Sequence, residues 1–176
     1  EIEVGDWSSD VCSSDLEGQV DMQRLAHLAG LVGKAHLVLD LSCRFRENAY
    51  YVVSEHWQRF TSLRLDGATL SALAAYCDEF LVHAVDVEGT CTGLDAGLLA
   101  LLAEAAPIPT TYAGGISSMA DLELVERVGR GRIDATVGSA LDIFGGQGIK
   151  YSDILARFAP AGRETAGGDG HREGRL

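Results

Sequence analysis

The sequence predicts an α/β protein built from about four βα units, in which each strand is followed by a helix. Four apolar runs have the length of strands, and a helical pattern follows each run or the loop after it. The runs lead into carboxylates or glycines, and in a (β/α)8 barrel the ligand-binding loops follow the strands in this way. Because a closed barrel needs eight units, the sequence predicts about half of one. The predicted strands are residues 36–41, 79–85, 110–113 and 133–137.

Capping residues mark the helices of these units. Asp21 is expected to cap the first helix and Gly33 to end it, while Ser117 or Ser118 caps the fourth and Gly129 ends it. The strands are continuous apolar runs, which is typical of a parallel sheet covered by helices. The predicted helices are residues 22–32, 68–77, 95–105, 119–128 and 151–158, with a short strand at 50–53 and a helical turn near 141–144.

Composition excludes several classes of protein. The net charge of −12 argues against nucleic acid as a partner. No apolar run approaches the length of a membrane span, and the acidic N-terminus does not have the form of a signal peptide. The cysteines match no zinc or C-x-x-C pattern, so reduced thiols in a cytoplasmic protein are expected. They are Cys12, Cys43, Cys77 and Cys91.

The two ends of the chain are expected to lie outside the fold. Residues 1–16 repeat Ser-Ser-Asp without a helical or strand period and resemble translated sequencing adapter, with a natural flexible leader as the alternative. Residues 161–176 are rich in Gly, Arg and Glu and are expected to be a disordered tail. The expected folded unit is therefore residues 17–160.

Glycines after the last two predicted strands indicate a phosphate site. Gly114-Gly115 and Gly138-Ser139 occupy corresponding positions in consecutive βα units. Glycines let backbone N–H groups approach an oxyanion closely, and a following helix N-terminus adds its positive end. In barrels the last two strand-end loops often bind phosphate. Ordinary turns remain the alternative.

Polar residues in the first strand and the following loop are candidates for catalysis and binding. Asp40 lies in an apolar strand, where burial would raise a carboxyl pKa and suit it to acid–base chemistry; hydrogen bonding to the next loop is the alternative. Trp57 could stack on a flat heterocycle or pack its loop onto the domain. If Ala84 faces the barrel mouth, His83 faces the helices as a satisfied core residue. Asp86 and Glu88 are interpreted as loop acids, not as metal ligands.

Several motifs together resemble one family. Asp-Leu-Ser-Cys-Arg at 40–44 and the run through Leu-Asp-Ile-Phe-Gly-Gly at 138–146 carry most weight, beside Trp-Gln at 57–58, residues 80–89 and Tyr-Ala-Gly-Gly at 112–115. The chain resembles the phosphoribosylformimino-aminoimidazole-carboxamide ribotide isomerases of histidine biosynthesis, and is most similar to their fungal and plant branch. The resemblance covers about residues 18–158 and corresponds to the C-terminal half of that family's barrel.

The resemblance implies a ribulose-phosphate-binding type of (β/α)8 barrel and an Amadori rearrangement. In that reaction an aminoaldose with two phosphate groups becomes an aminoketose without a metal or an organic cofactor. Asp40 matches the aspartate of the fifth strand and takes the general acid role, and Trp57 matches an aromatic residue that stacks on the substrate's imidazole. The family's C-terminal phosphate site matches Gly114, Gly115, Gly138 and Ser139.

The resemblance also implies a missing partner. The second catalytic aspartate and the other phosphate site belong to the N-terminal half-barrel, so this chain is expected to have little or no activity alone. Two alternatives remain open at this point. One is a related phosphate-binding barrel enzyme such as the cyclase of the same pathway, and the other is a non-catalytic half-barrel that binds phosphorylated ligands.

Overall fold

A six-stranded sheet organises the residues described by the computed structural model, which are 20–54, 57–90 and 93–158. The strand order is β3-β2-β1-β4-β5-β6. Strands β1, β4, β5 and β6 are parallel, and β1, β2 and β3 form an antiparallel meander. The strands are β1 (Val38–Arg46), β2 (Ala49–Ser54), β3 (Arg59–Arg64), β4 (Glu79–Ala84), β5 (Thr110–Ala113) and β6 (Ile133–Thr136). The predictions for residues 1–16 and 161–176 lie outside the described residues.

The helices begin at the predicted capping residues. The Asp21 carboxylate accepts hydrogen bonds from the N–H groups of Gln23 and Arg24, and Ser118 caps the fourth helix in a capping box with Asp121. The second helix is shorter than predicted because the chain turns after Leu73. The helices are α1 (Met22–Val32), α2 (Gly67–Leu73), α3 (Ala96–Ala105), α4 (Met119–Gly129) and α5 (Tyr151–Phe158). No helix among the described residues is long and apolar enough to cross a bilayer.

The first strand differs from its prediction at both ends. His36 belongs to a short 3-10 turn before the strand, and β1 continues to Arg46. Glu47 and Asn48 then form a two-residue turn with φ values of 50° and 62°, which suits a tight hairpin. This hairpin leads into β2, which contains the predicted short strand, and β3 was not predicted.

The sheet has one apolar face and one polar face. Leu41, Phe80 and Tyr112 lie on the apolar face, which packs against the helices in a core that includes Leu99. Most residues of the opposite face are half-buried or exposed, and they include Asp40, His83, Thr111, Asp134 and Thr136. Val53 of β2 and Ala113 of β5 lie on this face and are buried. The helices expected to cover the sheet therefore pack on its apolar face, opposite the polar face. This polar face positions the candidate site.

Candidate functional site

Asp40 and His83 form a hydrogen-bonded pair on the polar face of the sheet. His83 Nδ1 lies 3.0 Å from Asp40 Oδ1, and both side chains are about a quarter exposed. The hydrogen bond from the His83 ring to Asp40 raises the pKa of His83, burial of the ring opposes this shift, and the negative charges of Asp40 and Glu88 reinforce it. Within the described residues, Asp40 therefore bonds a neighbouring strand and not the loop that follows its own strand.

The orientation predicted for His83 is wrong. Ala84 lies in the core on the helix side together with Phe80 and Val82, so His83 faces the opposite side. The error came from the conditional assumption that Ala84 faces the barrel mouth. Because side chains alternate along a strand, His83 shares the face of Asp40 on β1.

A small cavity follows the carboxyl ends of β4, β5 and β6. Its volume of about 160 Å³ is below the ~300–1,000 Å³ of typical small-molecule pockets, so it suits one phosphate group of a larger ligand. The structure thus brings the two predicted glycine loops together. The cavity is lined by His83, Glu88, Gly114, Gly115, Gly138 and Ser139, among others.

The glycines at this cavity differ in what their backbones require. Gly115 has φ of 72°, and a Cβ there would lie 2.3 Å from the carbonyl oxygen of Gly93. Gly114 has φ of 110°, and its added Cβ would lie 2.8 Å from the carbonyl oxygen of Ala84. A Cβ on Gly138 would meet no atom within 4 Å. Steric demand therefore explains the first two glycines but not Gly138, which lines the cavity.

Backbone N–H groups at the cavity are open to an acceptor, but the neighbouring helix N-terminus is not. Within the described part of the chain, no protein acceptor bonds the N–H groups of Gly115, Gly138 or Ser139. At the start of α4, by contrast, the carboxylate of Asp121 accepts from the N–H groups of Ser117 and Ser118. The N–H groups at the start of α4 are therefore already bonded by the protein's own carboxylate, and a bound anion would depend on the loop N–H groups.

Trp57 is held beside the Asp40 face. Its indole Nε1 donates to Ser42 Oγ over 3.1 Å, and Ser42 is two residues beyond Asp40 on the same face of β1. Trp57 is 43% exposed and has a left-handed φ of 70°. The ring is therefore fixed at one edge by a hydrogen bond and is not part of the hydrophobic core.

The two acids of the loop after β4 have different surroundings. Asp86 binds Arg44 Nε at 2.7 Å and the backbone N–H of Phe45 at 3.1 Å, which ties the loop to β1. Glu88 lines the cavity. Among the described residues, no group of three or more histidine, cysteine, aspartate or glutamate side chains is arranged to hold a metal ion.

The two cysteines among the described residues lie in buried surroundings. Cys43 and Cys77 are free and buried, and burial raises the pKa of the Cys77 thiol to about 11. Burial likewise raises the pKa of Cys43 far above its usual range. The prediction of reduced thiols also covers Cys12 and Cys91, which lie outside the described residues.

Sequence reasoning missed the contributions of His83 and Ser42. Both residues lie on the same face of the sheet as Asp40. The alternation of side chains along each strand was a sequence signal for this placement. Ser42 is two positions from Asp40, and His83 follows once β1 and β4 are aligned in parallel with Ser42 opposite it. That alignment depends on strand register, which the sequence did not supply.

Parallel βα units with a carboxylate and a glycine-lined cavity at their strand ends are typical of the TIM-barrel class of α/β proteins. A sequence profile of the family described as "Histidine biosynthesis protein" matches residues 18–147. The chain belongs to this histidine biosynthesis family.

Individual relatives agree with this assignment. The chain is 52% identical over 139 residues to a chloroplastic protein of Medicago truncatula, and the match covers 79% of this chain and 44% of the relative. The name of that protein describes an isomerase of an imidazole-4-carboxamide that carries two phosphoribosyl groups. Proteins with the corresponding isomerase name in Eremothecium gossypii and Saccharomyces cerevisiae are 45% and 42% identical, over 85% and 78% of this chain and 61% and 54% of their own lengths. The chain thus spans about half the length of the curated relatives it matches.

Proposed function

We propose that this chain supplies the C-terminal half of a (β/α)8 barrel that catalyses an Amadori rearrangement of a bis-phosphorylated aminoaldose in histidine biosynthesis. The observation that carries the proposal is the placement of Asp40 next to a phosphate-sized cavity at the strand ends, with His83 in contact with both. Membership of the histidine biosynthesis family and relatives named as isomerases support the same reaction class.

Asp40 is assigned the role of general acid. Protonation of the ring oxygen of the aminoaldose lets the bond between that oxygen and C1 break, which gives an open-chain imine. A base then removes the proton from C2, and the resulting enol form rearranges to the aminoketose. General acid–base catalysis of this kind contributes about 10²–10⁴-fold and needs both groups positioned on one substrate.

The binding residues divide the substrate between them. The loop N–H groups of Gly115, Gly138 and Ser139 are available to one phosphate group. Trp57 bonds Ser42, which lies two residues after Asp40 on β1. The exposed ring of Trp57 is assigned to stacking on the imidazole of the substrate. The second phosphate and the base are assigned to the complementary half-barrel.

Two strand edges support the need for that complementary half. Within the described residues, β6 pairs on one side with β5 and lies at the edge of the sheet. β1 pairs with β2 only from Cys43 onward, so residues 38–42 pair only with β4. Unpaired edges of parallel strands favour pairing with further strands. An N-terminal half-barrel that pairs with both edges would close the sheet.

An apolar groove lies next to the β6 edge. It has a volume of about 590 Å³ and is lined by residues of α4, β6 and α5, including Ile133, Leu122 and Tyr151. A helix of the complementary half would bury this surface. The partner assigned to the chain is therefore the N-terminal half of the same family's barrel.

The test is isomerase activity after this chain is mixed with a separately produced N-terminal half of a family member. Each half alone is the control, and Asp40→Asn is the matched variant because it keeps the shape of the side chain. Activity is expected only in the mixture with the unaltered chain. A folded mixed complex that does not open the ring of the aminoaldose would overturn the proposal and favour the related cyclase or a binding role.

Asp40→Asn also separates catalysis from binding. The carboxyl group does not line the glycine cavity, so the variant complex should retain affinity for inorganic phosphate while it loses turnover. If phosphate affinity and turnover fell together, Asp40 would have a structural role instead of a catalytic one.

A further inference from the structure

We propose that Asp40 works as a pair with His83, in which the imidazole ring fixes the carboxyl group and stores the proton that the pair delivers. This inference rests on the proposed function for its catalytic readout, but its physical basis can be measured on the chain itself. His83 is a positioning residue in this scheme, because it acts on the substrate through Asp40.

The hydrogen bond leaves one carboxyl oxygen for the substrate. His83 Nδ1 lies 3.0 Å from Asp40 Oδ1, and no protein group within the described residues bonds Oδ2. The two residues are on adjacent parallel strands with Ser42 opposite His83, so the sheet itself fixes their separation. An ionised pair strengthens such a hydrogen bond and holds the carboxyl group in one orientation.

The charges around the ring favour the imidazolium form. β1 presents Asp40, and the loop after β4 presents Glu88. Asp86 in the same loop is paired with Arg44, and Glu79 at the start of β4 accepts a hydrogen bond from Thr111 of β5. The pKa of His83 is raised, first by the hydrogen bond to Asp40 and then by the negative charges of Asp40 and Glu88, while burial of the ring opposes this shift. The ring therefore stays protonated to a higher pH than a free histidine does.

Proton transfer within the pair balances without another reactant. The Nδ1 proton moves to the Asp40 carboxylate, and the carboxyl group formed in this way then gives one proton to the ring oxygen of the substrate. Asp40 is then a carboxylate again. The imidazole is left neutral, and it regains a proton from water through the cavity that it lines. As the pH rises through the pKa of His83, the stored proton is lost and turnover should fall.

The first experiment follows the histidine ring protons by NMR during a pH titration of the chain, with His83→Asn to assign the His83 signal. In Asp40→Asn the pKa of His83 should fall by about one unit or more, which is the scale of one strong charge interaction. Asp134→Asn is the matched control, since Asp134 is an exposed carboxylate on the same face but two strands away from β4. An unchanged His83 pKa in Asp40→Asn would overturn the pairing.

The second experiment measures kcat and KM against pH in the complex with the N-terminal half. His83→Ala should lower kcat by about 10- to 100-fold and change KM by less than about threefold, because the pair acts on the transition state. His83→Asn places an amide N–H near the position of Nδ1 but cannot titrate, so it should restore part of kcat and remove the alkaline decline. A His83→Asn complex with wild-type kcat and pH profile would overturn the proton-storage role.

The two experiments separate this inference from the proposed function. A lowered His83 pKa in Asp40→Asn, together with a complex of the unaltered chain that has no isomerase activity, would retain the pair and reject the isomerase assignment. An active complex in which the His83 pKa ignores Asp40 would retain the isomerase and reject the pair.

Discussion

Replacement of Gly138 by alanine distinguishes a glycine that admits a ligand from a glycine that only makes a turn. The added methyl group meets no atom within 4 Å, so the free energy of unfolding should change by no more than about 0.5 kcal/mol. The methyl group would stand beside a cavity of about 160 Å³ and hinder close approach of an anion to the backbone. We expect the affinity for inorganic phosphate to fall about 10-fold, or about 1.4 kcal/mol.

Gly115→Ala is the contrasting variant. The left-handed backbone costs about 1–2 kcal/mol for a residue with a Cβ, and the 2.3 Å approach to the carbonyl oxygen of Gly93 adds about 1–3 kcal/mol of overpacking. The free energy of unfolding should therefore fall by about 2–5 kcal/mol. Gly30→Ala in α1 is the control for an open glycine far from the cavity, and it should leave phosphate affinity unchanged.

The assay combines urea denaturation with calorimetric titration of phosphate into each folded variant. The reasoning fails if Gly138→Ala binds phosphate as tightly as the unaltered chain, because the glycines would then be turn residues only. It also fails if Gly115→Ala is as stable as the unaltered chain, since the close contact would then not constrain that loop.

Three further predictions use other contacts. Tyr50→Phe removes a 2.7 Å hydrogen bond to Asp95 and should lower the free energy of unfolding by about 1–2 kcal/mol in urea denaturation; no loss would show that the bond contributes nothing net. Burial disfavours the charge of Asp121, but hydrogen bonds from the adjacent serines prevail and lower its pKa. The stabilisation of the folded chain by ionised Asp121 is therefore fully present above the unfolded pKa of 3.8, and it is lost as the pH falls through the lower folded pKa. Asp121→Asn should therefore make the free energy of unfolding fall less steeply at acid pH. Trp57→Ala should raise the KM of the complemented enzyme about 10-fold by removing a stacking surface, whereas Trp57→Phe should raise it less, and equal KM values in all three proteins would reject stacking.

Local sequence signals predicted most helices and parallel strands of the described region. Asp21 and Ser118 cap helices as predicted, because capping depends on residues within one turn of each other. The β1–β2 hairpin was missed although Glu47 and Asn48 form its turn, since the polar stretch around them has no strong alternation. The end of α2 was misplaced because apolar residues after Leu73 continue the helical pattern while the chain already turns toward β4.

The candidate site was predicted in parts. The glycine loops line one cavity because consecutive βα units place their strand ends side by side. The surroundings of Asp40 could not be predicted, since its partner depends on which residues of β4 lie on the same face of the sheet as Asp40. The assumption that Ala84 faces the barrel mouth placed every side chain of β4 on the wrong face, because side chains alternate with a period of two.

The sequence by itself determined the α/β class, the capping of helices, the residue types at the strand ends and the family that the chain resembles. These properties depend on residue types and on spacings of a few positions. Only the tertiary structure decided that Asp40 meets His83 across 43 positions of sequence and that Trp57 bonds Ser42 across 15. Such contacts are fixed by strand register and loop path, which are determined by packing of the whole sheet and not by neighbouring residues.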